Sequence, residues 1–147
     1  MKKVAIGCDP NAAGLKEVIK NYVKELGYGC DDFGSDDPIY ANVAFEVAEA
    51  VSSGTYDRGI LLCGTGIGVC ISANKVQGAY AANCMDPYSA ERSILSNNCN
   101  ILALGSQVTG PELAKYLVRI WLDAEYKPGG RSEPKIRRIY EYAGDDK

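Results

Sequence analysis

Two kinds of apolar spacing alternate along the chain. Lys3–Cys8 (KVAIGC), Arg58–Cys63 (RGILLC), Ala79–Cys84 and Ile101–Leu104 are short, nearly continuous apolar runs. Runs of that length read as strands, and RGILLC is apolar enough to be covered on both faces. Cys30–Phe33, stopped by Gly34, reads as a weaker strand. Between these runs, apolar residues return every three or four positions, at Leu15, Val18, Ile19, Tyr22, Val23 and Leu26, and again over Val43–Val51. The same period predicts helices from Ile67 to Asn74, Pro87 to Leu95 and Pro111 through Leu122. A last helix is expected over about 133–142, with Lys135, Arg137 and Arg138 on a basic face and a frayed AGDDK tail.

Strands alternating with helices through short loops imply a parallel sheet of about five strands with helices on both faces, a doubly wound α/β fold. No stretch resembles a linker or a repeat, so the expectation is a single domain over 1–147. In such folds ligands bind beyond the carboxyl ends of the strands, where Asp9, Cys63 and Gly105 fall.

Composition removes several classes of function. A formal charge of -3 offers no basic face for nucleic acid. No apolar segment reaches the length of a membrane span, and MKKVAIGCDP turns polar too early for a signal peptide. A cytoplasmic protein is therefore expected. The six cysteines include no Cys-x-x-Cys pair, and the chain has no histidine. Reduced thiols, mostly small core residues, fit better than disulfides or a zinc site.

One stretch stands apart. In LLCGTGIGVC, Cys63 ends a strand and Gly64-Thr65-Gly66-Ile67-Gly68 leads into a helix. Glycines let backbone N–H groups turn inward, and a helix start adds aligned donors, which suits a phosphate or an oxyanion formed during reaction. The loop is neither a dinucleotide fingerprint nor a Walker loop. A helix start also favours a thiolate, making Cys63 a candidate nucleophile or proton-transfer base, against a plain buried strand-end cysteine. Thr65 reads as a helix cap or as a hydroxyl for a substrate oxygen, and Asp9 as a cap or a ligand. Arg131 and Lys135 would share one helical face and could grip a phosphate, or simply be solvated. Asn97, Asn98 and Asn100 fit turn positions.

Taken in order, AIGCD (5–9), DFG (32–34), VAEAV (47–51), DRGILLCGTGIG (57–68), ANK (73–75), DPYSA (86–90), NILALG (100–105), GPELAK (110–115) and GGR (129–131) resemble the ribose-5-phosphate isomerase B and galactose-6-phosphate isomerase family. The resemblance covers nearly the whole chain. It implies a Rossmann-like fold, a homodimer or dimer of dimers, no metal or nucleotide cofactor, and aldose–ketose isomerisation of a sugar phosphate through a cis-enediolate. By position, it makes Cys63 the base for the carbon-bound proton and Thr65 the shuttle between the two oxygens. Backbone N–H groups from Gly64 through Gly66 to Gly68 would stabilise the enediolate, Asp9 and Tyr40 would meet sugar hydroxyls, and Asn97 would arrive across the dimer interface. Arg131 and Lys135 would hold phosphate.

The chain departs from the family pattern where substrate is handled. Asp-His-Ala-Gly is replaced by Asp9-Pro10-Asn11-Ala12, and the ring-opening His-Asn pair by Ser96-Asn97. Gly-Ala-Arg-Val becomes Gly105-Ser106-Gln107-Val108, Tyr-Pro-Asp becomes Tyr40-Ala41-Asn42, and Gly-Arg-His becomes Gly130-Arg131-Ser132. Serine is a poor acid–base near neutral pH. Three readings follow: an isomerase for a poorly cyclising substrate such as a tetrose phosphate, a slow ribose-5-phosphate isomerase, or a non-catalytic partner subunit. The intact Cys-Gly-Thr-Gly argues against the last.

Overall fold

In the computed structural model, which describes residues 2–146, five parallel strands form one sheet. They are β1 (Lys3–Cys8), β2 (Gly29–Asp32), β3 (Arg58–Cys63), β4 (Ala81–Asn83) and β5 (Ile101–Gly105), in the order β2-β1-β3-β5-β4. The register sets Cys8 beside Leu62 and Cys63 beside Gly105. The chain leaves β1 toward one edge and β3 toward the other, so the carboxyl ends of β1 and β3 flank the topological switch point.

Alternation along the strands builds two cores. Val4, Ile6, Cys8, Ile60, Leu62, Leu102 and Leu104 pack with α1 (Ala13–Glu25), α4 (Pro87–Leu95) and α5 (Pro111–Asp123). Ala5, Leu61, Cys63, Ile101 and Ala103 face α2 (Tyr40–Ser52) and α3 (Ile67–Ala73). Right-handed crossovers demand this split, because connections running in opposite directions across the sheet must lie on opposite faces. Cys63 therefore faces the α2–α3 layer. At the far end, the Arg58 guanidinium donates to the carbonyls of Trp121 and Ala124, fastening the C-terminus of α5.

Several bounds differ from the periodicity. α2 begins at Tyr40, three residues before its apolar pattern, because Asp37 accepts from the Ile39 N–H at 2.8 Å and from the Asn42 amide at 2.9 Å. β4 is shorter than Ala79–Cys84. Its outer edge is closed by Asn74, whose amide donates to the Ala81 carbonyl (3.0 Å) and accepts from the Ala81 N–H (2.8 Å). α6 spans Glu133–Ala143. Arg131 lies in the turn before it, so Arg131 and Lys135 do not share a helical face. The tail is not frayed at its start: Gly144 takes a left-handed cap, the Asp145 N–H bonds the Tyr140 carbonyl at 2.9 Å, and the Tyr80 hydroxyl donates to Asp145 at 2.8 Å. The expectations touching Met1 and Lys147 lie outside the described residues.

Candidate active site

Cys63 is 5% exposed at the end of β3, and its sulfur accepts the Gly66 N–H at 3.1 Å. Gly66 reaches that position with φ +84°, and a Cβ there would lie 2.6 Å from Asn83 Oδ1 and 2.9 Å from the Leu104 carbonyl carbon. Only glycine fits. Gly66 is the N-cap of α3, and the Thr65 hydroxyl accepts the Ile67 N–H at 3.2 Å. Thr65 thus supports the helix start while its side chain stays at the loop surface. Two of the loop's N–H groups are therefore bonded to its own side chains. A Cβ on Gly68 would stand against the Tyr40 ring, 2.8 Å from its hydroxyl, so Tyr40 lies directly over the first turn of α3.

The loop after β5 is stitched to this one. The Ser106 N–H donates to the Cys63 carbonyl (2.9 Å) and the Gln107 N–H to the Gly64 carbonyl (3.0 Å). The Gln107 side-chain amide stands beside Gly64. In the sequence Gln107 reads only as a lost cation; its place two residues beyond the carboxyl end of β5 is what brings it beside the Cys63 loop.

Asp9 directly follows β1 across the switch point. It is 5% exposed, one oxygen accepts from the Asn11 amide at 3.2 Å, and the other is buried without a partner. It makes no capping bond to the turn that follows. A buried carboxylate oxygen left open is costly unless something donates to it. Asp9, Cys63, Thr65, Tyr40 and the Gly64–Gly68 loop therefore occupy one end of the sheet.

Ser96, Asn97, Arg131 and Lys135 are not with them. α4 carries the chain from the carboxyl end of β4 back to the amino end of β5, leaving Ser96 and Asn97 toward the opposite end of the strands. The Asn98 amide donates to Tyr140 of α6 at 3.1 Å, which puts the C-terminal segment at that end too. Asn83, whose amide donates to the Thr65 carbonyl at 3.3 Å, stands between the two sets and lines one cavity with Asn97. Of the three asparagines, Asn98 takes a left-handed turn (φ +50°), and the Asn100 side chain holds the Tyr80 N–H (2.8 Å) and Gly78 carbonyl (3.0 Å). Asn97 is exposed. Arg137 pairs with Glu133 at 3.4 Å.

All six cysteines are free thiols. Burial pushes Cys8, Cys30 and Cys84 up to about 11 and Cys99 to about 12, so these four are neutral thiols. Among the described residues no three His, Cys, Asp or Glu side chains cluster as metal ligands.

Fold and site together define an α/β protein with a thiol and a glycine nest at the carboxyl ends of a parallel sheet. The chain belongs to the Ribose/Galactose Isomerase family, whose model matches residues 4–139. It is 48% identical over 151 residues to a D-erythrulose-4-phosphate isomerase of Pectobacterium atrosepticum, covering 100% of this chain and 99% of that protein. It is 45% identical to ribose-5-phosphate isomerase B of Escherichia coli, covering 95% of each. A solved structure of ribose-5-phosphate isomerase B from Clostridium thermocellum superposes with a TM-score of 0.91 at 43% identity, covering 97% of each chain.

Proposed function

We propose that the protein interconverts an aldose phosphate and its ketose by moving a proton between C1 and C2. The Cys63 thiolate takes the carbon-bound proton from one carbon and returns it to the other. Thr65 passes the hydroxyl proton between O1 and O2, and the N–H groups of Gly64, Gly66 and Gly68 meet the enediolate charge. For Gly66 this means sharing the donor it now gives to sulfur. The open Asp9 oxygen and the Tyr40 hydroxyl accept and donate to sugar hydroxyls. The observation that carries the proposal is the Gly66 N–H aimed at the Cys63 sulfur across 3.1 Å.

The substrate is a four-carbon sugar phosphate. Ser96 stands where the resemblance calls for a ring-opening histidine, and its hydroxyl already accepts the Arg92 Nε at 2.7 Å. A tetrose 4-phosphate cannot close a furanose, since its O4 is esterified, and needs no such group. The likeness to a D-erythrulose-4-phosphate isomerase supports the same choice.

Ser96, Asn97, Arg131 and Lys135 complete the site from a second copy, in a cytoplasmic homodimer or dimer of dimers. Each chain acts as one domain over 1–147. Exposed Ile67, Ile71, Met85 and Tyr88 near the site support such contact. Turnover of tetrose, pentose and hexose phosphates tests the substrate, and preference for the pentose overturns it. Subunit mixing tests the shared site. Cys63→Ala and Arg131→Ala chains, each inactive alone, should regain about a quarter of wild-type activity when randomly dimerised. No recovery on mixing would place both halves in one chain.

A further inference from the structure

Arg92 is a cation that the isomerase reading leaves unused. It sits one turn before the end of α4, half-buried, and among the described residues it forms no ion pair. Its Nε is held by the Ser96 hydroxyl at 2.7 Å. That bond fixes the plane of the guanidinium and leaves its two terminal NH2 groups without a hydrogen-bond partner among the described residues. Arg92 and Asn97 both line a cavity of about 400 Å³ along the outer side of β4. No carboxylate lines it. Its thiols, Cys84 and Cys99, are neutral because burial holds them at about 11 and about 12.

A partly desolvated guanidinium with no counter-charge is a poor structural device. The same group facing a polar cavity free of acids, with its plane set by a serine, is arranged for a tetrahedral oxyanion. Two terminal N–H groups can meet two phosphate oxygens side by side, and the Ser96 O–H and Asn97 amide can add neutral donors. Where this chain has Gln107 the resemblance has an arginine, and where it has Pro10 a histidine that binds phosphate.

We infer that Arg92, oriented by Ser96, binds the phosphate monoester of the substrate in this cavity. The claim rests on the sugar-phosphate reading for the identity of the ligand, though not for the binding of phosphate itself. It gives Ser96 a task that a ring-opening group could not perform: to aim a cation.

The test uses inorganic phosphate as the probe, titrated calorimetrically into the wild-type protein, Arg92→Met, Arg92→Lys and Ser96→Ala. Loss of one bidentate charged contact should weaken phosphate binding about tenfold or more in Arg92→Met. Arg92→Lys keeps the charge without the fork and should fall between. Ser96→Ala should weaken binding severalfold while leaving the charge in place. With sugar phosphate, Arg92→Met should raise KM by a similar factor and change kcat much less, and phosphate should cease to compete. A role limited to the end of α4 would lower the melting temperature and spare phosphate affinity. Equal affinity in the wild type and in whichever arginine variants fold overturns the inference, as does phosphate that binds through Arg92 without competing with sugar phosphate. A wild-type protein that binds phosphate through Arg92 yet turns over no sugar phosphate would sink the isomerase reading and leave the anion site standing.

Discussion

Gly66 and Cys63 are joined by a hydrogen bond that only a glycine can make: the N–H reaches the sulfur across 3.1 Å from a backbone with φ +84°. The donor and the thiol are thus set by one turn of chain. Replacing Gly66 with Ala forces a Cβ against Asn83 and the Leu104 carbonyl, and should cost about 1–3 kcal/mol of stability. Activity should fall further than stability explains, because the N–H leaves the sulfur. Denaturant melts and turnover of the same preparation compare the two losses; equal losses would reduce Gly66 to a folding residue.

Cys63→Ala removes the only group proposed to carry the carbon-bound proton. Turnover should drop on the order of 10³-fold, while the melting transition barely moves. Exchange of the C1 or C2 proton with deuterated solvent should vanish along with turnover. Persistent exchange in Cys63→Ala would transfer the base to another residue.

Asp9 should matter more to substrate than to the fold. Its open oxygen gains nothing from the free protein, so Asp9→Asn should leave stability within about 1 kcal/mol. The KM for sugar phosphate should rise roughly tenfold or more as the charged acceptor for a sugar hydroxyl is lost. Unchanged kinetics in Asp9→Asn would return Asp9 to a purely local role.

Tyr40 and Gly68 lie face to face, so Gly68→Ala should push the ring from its seat and raise KM. Tyr40→Phe keeps the ring and loses only the hydroxyl. Steady-state kinetics on both variants separate the two contributions, and a large effect from the hydroxyl alone would identify a direct sugar contact.

Asp32 predicts an acid transition. Burial pushes its carboxyl up, but hydrogen bonds from Lys16 (2.8 Å), Lys20 (3.0 Å) and the Gly34 N–H (2.9 Å) prevail and hold it at about 2. The folded value lies below the unfolded one, so the stabilisation is present above about pH 4 and is lost as pH falls through about 2. Because Asp32 is exposed, solvent screening reduces it to about 1 kcal/mol. Urea melts of wild type and Asp32→Asn should differ most near neutrality, and the gap should narrow between pH 4 and 2. A gap that stays constant would assign the effect to packing around Lys16 instead.

The alternating spacing was enough to read the fold, because each strand and helix carries its own apolar period and the crossover rule supplies the rest. It could not see the start of α2, where Ile39 and Asn42 are held by the side chain of Asp37 instead of by the core. The Cys63 loop was legible for a local reason: glycines, a thiol and a strand end fall within six residues. Ser96, Asn97, Arg131 and Lys135 were legible as residue types and not as positions. A motif says which groups to expect at a site, and topology alone says that this chain carries them toward the other end of the strands. Arg92 had no signal, since an arginine on a helix acquires meaning only from the hydroxyl one turn away.

The amide of Asn74 occupies both hydrogen-bonding groups of Ala81 on the outer margin of β4. A bare margin is an invitation for unrelated chains to add strands and grow into fibrils. Here one side chain impersonates the missing neighbour, so copies that meet at this margin must recognise one another by shape and charge. Asn74→Ala should therefore show its largest effect in concentrated or heated samples, as a gain in thioflavin-positive aggregate over soluble protein.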